Sequence, residues 1–146
     1  MSHETIKILL IEDNEADIML TQDAFEDAKL RNEMAIARDG YEALEYLNQT
    51  GQSAGTVLPD VILLDLNLPG PSGKEILAHV KSTPHLKSIP VVVLTSSEDP
   101  HEIKQIYDLS ANCYIAKPIN LDKFLETMRG IEHFWVQMVA LPTEPA

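Results

Sequence analysis

The chain has 146 residues, 45% of them apolar and 23% charged, which fits one soluble globular domain with a sizeable core. Its formal net charge of −12 argues against nucleic acid or an anionic membrane as a partner, because both would repel it. No apolar run approaches the roughly 20 residues that span a bilayer, the start Met1-Ser2-His3-Glu4 lacks a signal-peptide pattern, and the single cysteine, Cys113, cannot close an internal disulfide, so a cytoplasmic domain is expected.

In chain order, "IKILLI" (6–11) reads as a first strand. A helix over 15–29 follows, with Asn14 as its cap and Leu20, Ala24 and Ala28 at helical spacing. "EMAIA" (33–37) is the second strand, and a helix is expected near 40–48. The loop "NQTGQSAGTVLPD" (48–60) is the longest stretch without apolar periodicity and is expected to be an exposed insertion. "DVILLD" (60–65) is the third strand, followed by a helix near 72–82; "VVVLT" (91–95) is the fourth, followed by a helix near 100–109. "NCYIA" (112–116) is the fifth strand, and a last helix begins after Asn120 and extends to about Leu141.

At least three of these strands are nearly continuous apolar runs, the pattern of strands buried on both faces. Five strands alternating with five helices predict an α/β fold, a doubly wound parallel sheet covered on both sides. Right-handed crossovers favour the flavodoxin-like strand order 2-1-3-4-5. The expected domain spans 1–146, with a core over about 5–130 and an extended helix and tail over 131–146.

Open sheets of this kind bind ligands beyond the carboxyl ends of their strands. The first strand ends in Glu12 and Asp13, the third in Asp65, the fourth in Thr95 and Ser96, and the fifth in Lys117 before Pro118. A single strand-end aspartate is ordinarily a turn or cap residue, threonine has high β-propensity, and a lysine before proline is ordinarily a surface residue. Those readings do not explain why all five polar positions fall at the same end of the sheet. Two carboxylates about 5 Å apart repel by roughly 3 kcal/mol at an effective dielectric of 20, so Asp13, Asp65 and Glu12 together call for a divalent cation. Hard oxygen ligands suit Mg²⁺. Lys117 adds a point charge for an anion, and a carboxylate can itself take up a phosphoryl group as a nucleophile.

These segments resemble the receiver domain of two-component response regulators over nearly the whole chain. "IEDNE" holds the acidic pair, "DVILLDLNLPGPSG" the acceptor with Pro69 and Gly73, "VVVLTSSE" the hydroxyl, and "ANCYIAKPI" the aromatic and the Lys-Pro pair. The separations, 30 residues from Asp65 to Thr95 and 22 from Thr95 to Lys117, are also those of the family. The resemblance implies that Asp65 accepts phosphoryl from a histidine kinase. It implies Mg²⁺ on Asp13, Asp65 and the backbone carbonyl of Asn67, with Glu12 acting through water. Lys117 and Thr95 would bind the phosphoryl oxygens, Tyr114 would be the switching aromatic, and the Lys117–Pro118 peptide would be cis. Such a protein catalyses only its own phosphorylation and dephosphorylation. Glu12 stands where aspartate is commoner, which adds one methylene of reach.

A phosphatase using D-x-D chemistry would need an acid where Asn67 stands, and a flavin-phosphate loop would not be as acidic as "IEDNEAD". A pseudo-receiver acting as a phosphorylation-independent scaffold would be expected to lack one of Asp13, Asp65 and Lys117, and none is missing. The five histidines show no ligand pair, and Cys113 reads as a small core residue. With 29 residues after Lys117, output is expected through contact with another, unknown protein. The helix over 121–142 carries an over-wide apolar stripe with Phe134 and Trp135 in it, which predicts a homodimer through this end. "VVVLTSSEDPHEI", "ANCYIAKP" and "IEHFWVQMVALP" resemble the small regulators that accompany phytochrome-type histidine kinases.

Overall fold

A computed structural model describes residues 5–26, 31–49, 58–96, 99–108, 113–117 and 122–123. The strands are β1 (Ile6–Ile11), β2 (Asn32–Ala37), β3 (Val61–Asp65), β4 (Val91–Thr95) and β5 (Cys113–Ala116). The helices among the described residues are α1 (Glu15–Glu26), α2 (Gly40–Gln49), α3 (Gly73–Ser82) and α4 (Pro100–Asp108). Asp122 and Lys123 are helical where a fifth helix is expected. The rest of that helix, with Phe134 and Trp135, the Lys117–Pro118 peptide and most of the 48–60 loop lie outside the described residues.

The sheet has the expected order β2-β1-β3-β4-β5, with every adjacent pair parallel. Position in the sheet explains composition. β3 and β4 are buried along their whole length, so each side chain faces a covered surface and the sequence runs apolar without alternation. β2 lies at an edge, is mostly half-buried, and accordingly carries Asn32 and Glu33.

Period-2 alternation sorts the strand residues into two cores. Leu9, Ile11, Ile62, Leu64, Val91 and Val93 pack with Leu47 of α2 and Ile76, Leu77 and Val80 of α3. Ile8, Leu10, Leu63, Val92 and Leu94 pack on the opposite face with Ile18 and Phe25 of α1. Each fully covered Leu, Ile or Phe contributes about 1.5–3 kcal/mol relative to exposure.

The expected apolar stripe of α1 needs correction. Its buried residues are Ile18, Thr21 and Phe25, with Ala24 partly covered, whereas Leu20 is 50% exposed. Residues 18–20 are all apolar, so spacing alone allows two faces, and the large ring of Phe25 decides between them. The buried Thr21 hydroxyl is satisfied by donating to the Asp17 carbonyl at 2.8 Å.

Strand register aligns the carboxyl ends. Ile11 pairs with Leu64, Asp65 with Leu94, and Thr95 with Ala116. Glu12 N–H continues the ladder by donating to Ala37 O at 2.9 Å, and Lys117 N–H does so to Thr95 O at 2.9 Å. Glu12, Asp65 and Lys117 thereby leave the sheet at one level.

Candidate functional site

The loop after β1 is short because α1 starts at once. Asn14 Oδ1 accepts from Asp17 N–H at 2.9 Å, the cap expected from the sequence. Asn14 N–H in turn donates to Glu12 Oε2 at 3.2 Å, which turns the glutamate back under the loop. Glu12 ends up 1% exposed while Asp13 faces solvent.

The loop after β3 is shaped by close backbone approach. Gly73, the first residue of α3, donates its N–H to Leu66 O at 3.0 Å and lies against the strand end. A Cβ there would come within 2.5 Å of Asp65 O. Ser72 caps α3 through a capping box with Glu75. Gly70 adopts φ +74, a left-handed conformation open to glycine, and the ring of Tyr41 lies over it. Asn67 N–H donates to Asp65 Oδ1 at 3.2 Å and orients that carboxylate.

Between these loops is a pocket lined by Glu12, Asp13, Asn14, Asp17, Leu20, Asp65, Asn67, Ser96 and Lys117. Of the residues singled out in the sequence, Glu12, Asp13, Asp65, Asn67 and Lys117 meet there. Thr95 is buried at the end of β4, 5% exposed, and its neighbour Ser96 lines the opening. Tyr114 is half-buried on β5 against the core that holds Val91 and Val93. Alternation along β4 puts Thr95 on that same face of the sheet. Thr95 and Tyr114 therefore share a face, on adjacent strands.

Lys117 is the electrostatic centre. Its Nζ lies 2.9 Å from Glu12 Oε1, 3.0 Å from Asp17 Oδ2 and 3.3 Å from Asp65 Oδ2. Burial alone would lower its pKa, but hydrogen bonds to Glu12 and Asp17 and the charge of Asp65 outweigh that and raise it above the ordinary lysine value. Glu12 moves the other way from a typical acid. Burial pushes its carboxyl up to about 7, the Lys117 hydrogen bond opposes the shift, and Asp65 reinforces it.

Sequence reasoning missed Asp17. It stands in the first turn of α1, away from any strand end, and reads as an ordinary acid favouring a helix N-terminus. The available signal was the cap itself: with Asn14 closing the turn, the residue three positions on faces the same loop.

Oxygen atoms of Glu12, Asp13 and Asp65 lie within 4.8 Å of one another. That approaches the roughly 3–4 Å separations between neighbouring ligands around Mg²⁺. The donor set is all hard oxygen, and four carboxylates face one ammonium across the pocket. These residues fit a small divalent cation.

A five-stranded parallel sheet with this order, ending in an acidic pocket with a half-buried lysine, defines the receiver class of signalling domain. The chain belongs to the response regulator receiver domain family, which matches residues 8–129. Among its relatives is response regulator Rcp1 of Synechocystis sp. (strain ATCC 27184 / PCC 6803 / Kazusa), 44% identical over 135 residues, or 92% of each chain. The crystal structure of the phosphorylated cyanobacterial phytochrome response regulator RcpA is 48% identical, with 96% of this chain and 100% of that one covered at a TM-score of 0.75. The Mn²⁺-bound form of Rcp1 is 43% identical, covering 94% and 99% of the two chains at a TM-score of 0.73. Receiver domains bind Mg²⁺ or Mn²⁺ at such an acidic pocket. Among the described residues, no helix is long and apolar enough to cross a membrane.

Proposed function

We propose that this chain is a cytoplasmic response regulator that accepts a phosphoryl group on Asp65 from a phytochrome-type histidine kinase and signals through altered protein contacts. The observation that carries this reading is Asp65 itself. It is 4% exposed at the end of β3, and its carboxylate lies 3.3 Å from an ammonium and within reach of Glu12 and Asp13. The kinase type rests on the similarity to Rcp1 and to the phytochrome regulator RcpA.

In this mechanism an Asp65 oxygen forms a bond to phosphorus as the bond to the donor imidazole breaks and its electron pair leaves with the ring. Lys117 stays protonated and offers fixed charge to the phosphoryl oxygens. Mg²⁺ held by Asp13, Asp65 and the Asn67 carbonyl, with Glu12 acting through water, would neutralise charge on the transferred group. Asn67 N–H, now on Asp65 Oδ1, keeps the acceptor aimed while chemistry occurs at its other oxygen. Catalysis is confined to the chain's own phosphorylation and dephosphorylation.

The switch reading joins Thr95 and Tyr114. The Thr95 hydroxyl turns to a phosphoryl oxygen and vacates space on the face it shares with Tyr114, which biases the ring inward. One receiver domain fills residues 1–146, and a homodimer through Phe134 and Trp135 presents the signal to a downstream protein. The test is treatment with acetyl phosphate, with and without Mg²⁺, read by intact mass. A single phosphoryl adduct is expected that is lost in Asp65→Asn and in EDTA; an adduct persisting in either condition rejects the assignment.

A further inference from the structure

We infer that Asp17 is a positioning residue that occupies one hydrogen-bond donor of Lys117 in the resting protein and so slows phosphoryl transfer to Asp65. The inference rests on the reading of Asp65 as the acceptor. A lysine ammonium has three donors and no acceptor. Lys117 Nζ donates to Asp17 Oδ2 at 3.0 Å and lies 2.9 Å from Glu12, while Asp65 at 3.3 Å is a charge contact. An incoming phosphoryl oxygen must compete with three carboxylates for this ammonium, most easily where one of them lets go.

The three partners differ in how readily they can do so. Glu12 has a side chain 2% exposed and is tied at its second oxygen by Asn14 N–H, so releasing it leaves a buried carboxyl group without its partner. Asp65 is the acceptor and stays at the reacting centre. Asp17 has a side chain 29% exposed on the pocket rim, where water can replace the ammonium. Its backbone is pinned on both sides, by N–H donation to Asn14 Oδ1 and by the Thr21 hydroxyl on its carbonyl. Release is therefore a side-chain rotation that leaves α1 in place. The Asp17 charge also faces the position where an anionic group arrives, so tether and repulsion act in the same direction.

When acetyl phosphate is the donor, an Asp65 oxygen forms the new O–P bond, the P–O bond to acetate breaks, and acetate leaves with the electron pair. The ammonium keeps its proton throughout. Loss of a partly exposed ion pair gives an expected acceleration of roughly twofold to fivefold in Asp17→Asn. A merely structural role predicts the opposite sign, because weakening the first turn of α1 can only loosen the site.

The experiment uses the full chain, with each variant saturated in Mg²⁺ so that altered metal affinity drops out, and follows acetyl phosphate modification by intact mass. Asp17→Asn should be faster than the native protein, and Asp17→Glu, which restores the charge, should return to the native rate. A second measurement needs no metal and no reaction: NMR hydrogen exchange of the Lys117 ammonium. Exchange should quicken in Asp17→Asn, while that of the exposed Lys104 ammonium stays unchanged. An Asp17→Asn rate equal to or below native, an Asp17→Glu rate as fast as Asp17→Asn, or unchanged Lys117 exchange each overturns the inference. A native protein that takes no phosphoryl group at Asp65 rejects the reading of the site, and the inference falls with it.

Discussion

The loop after β1 and the loop after β3 both close over Asp65, yet different forces hold them. The first is polar: Asn14 reaches forward to α1 and back to Glu12, and two of its residues, Glu12 and Asp13, are acids facing Asp65. The second is steric: Gly73 lies on the strand end, Gly70 sits under Tyr41, and the start of α2 donates from Gly40 N–H to Pro69 O at 3.1 Å. The acidic loop concentrates like charge that a cation would offset. The glycine loop contributes shape, and stability with it. Substitutions in the two loops should accordingly move stability in opposite directions.

The largest effect is expected at Gly73. An added Cβ meets backbone atoms of Leu66 and Asp65, which cannot yield as a side-chain tip would. Gly73→Ala should lower unfolding free energy by about 3 kcal/mol, measured by urea denaturation without metal. A loss below the range of ordinary surface changes would show that α3 can slide along the sheet and that the loop is not sterically set.

Next comes the metal. Mg²⁺ at about 100 times its dissociation constant should stabilise the native protein by about 2.7 kcal/mol. Asp13→Asn should abolish most of that increment. It should also leave the metal-free protein equal to or more stable than native, because a repelling charge is gone. A metal-free Asp13→Asn protein less stable than native would contradict the account of the acidic loop.

Glu12 gives the same contrast through pH. Its folded carboxyl titrates at about 7, above the ordinary value of 4.5. Between those values the folded state holds a proton that the unfolded state has lost. Its stabilising contribution is therefore complete below the ordinary value and disappears as pH rises through 7. Metal-free stability should fall by roughly 1–2 kcal/mol between pH 5 and 7.5, the neighbouring carboxylates sharing the proton. Lys117 titrates above this window and does not contribute. The slope should vanish in Glu12→Gln; a slope that persists places the titrating group elsewhere.

The comparison also separates what could be read from sequence. The polar loop announced itself because β1, β3 and β5 are apolar runs that stop at charged residues, and parallel register turns a common stopping point into a common place. Asn14 was legible as a cap for the same local reason. Asp17 was not, because its partner Lys117 is 100 residues away and its own surroundings look like any helix start. The α1 face was misjudged where Ile18, Met19 and Leu20 stand together, since spacing cannot rank adjacent apolar residues; Met19 and Leu20 are 58% and 50% exposed. Gly73 was expected by resemblance, but the approach of its backbone to Asp65 and the Tyr41 ring over Gly70 are tertiary facts with no sequence signature.

The smallest effect tests whether the two loops are independent. Ser72 Oγ accepts from Glu75 N–H at 3.2 Å, and Glu75 Oε1 accepts from Ser72 N–H at 3.1 Å. Ser72→Ala removes the first of these and leaves an unsatisfied donor in the first turn of α3, at a cost of about 1 kcal/mol. The cap lies five residues beyond Asn67, whose amide orients Asp65, and Gly73 between them is seated on the strand end. If steric seating alone sets the loop, the lost cap frays the start of α3 without moving Asn67. Stability should then fall by the same amount with and without Mg²⁺, so that the metal increment is unchanged and the two effects add. A smaller Mg²⁺ increment in Ser72→Ala would mean that the cap reaches Asp65 through the loop, coupling the glycine loop to the acidic one.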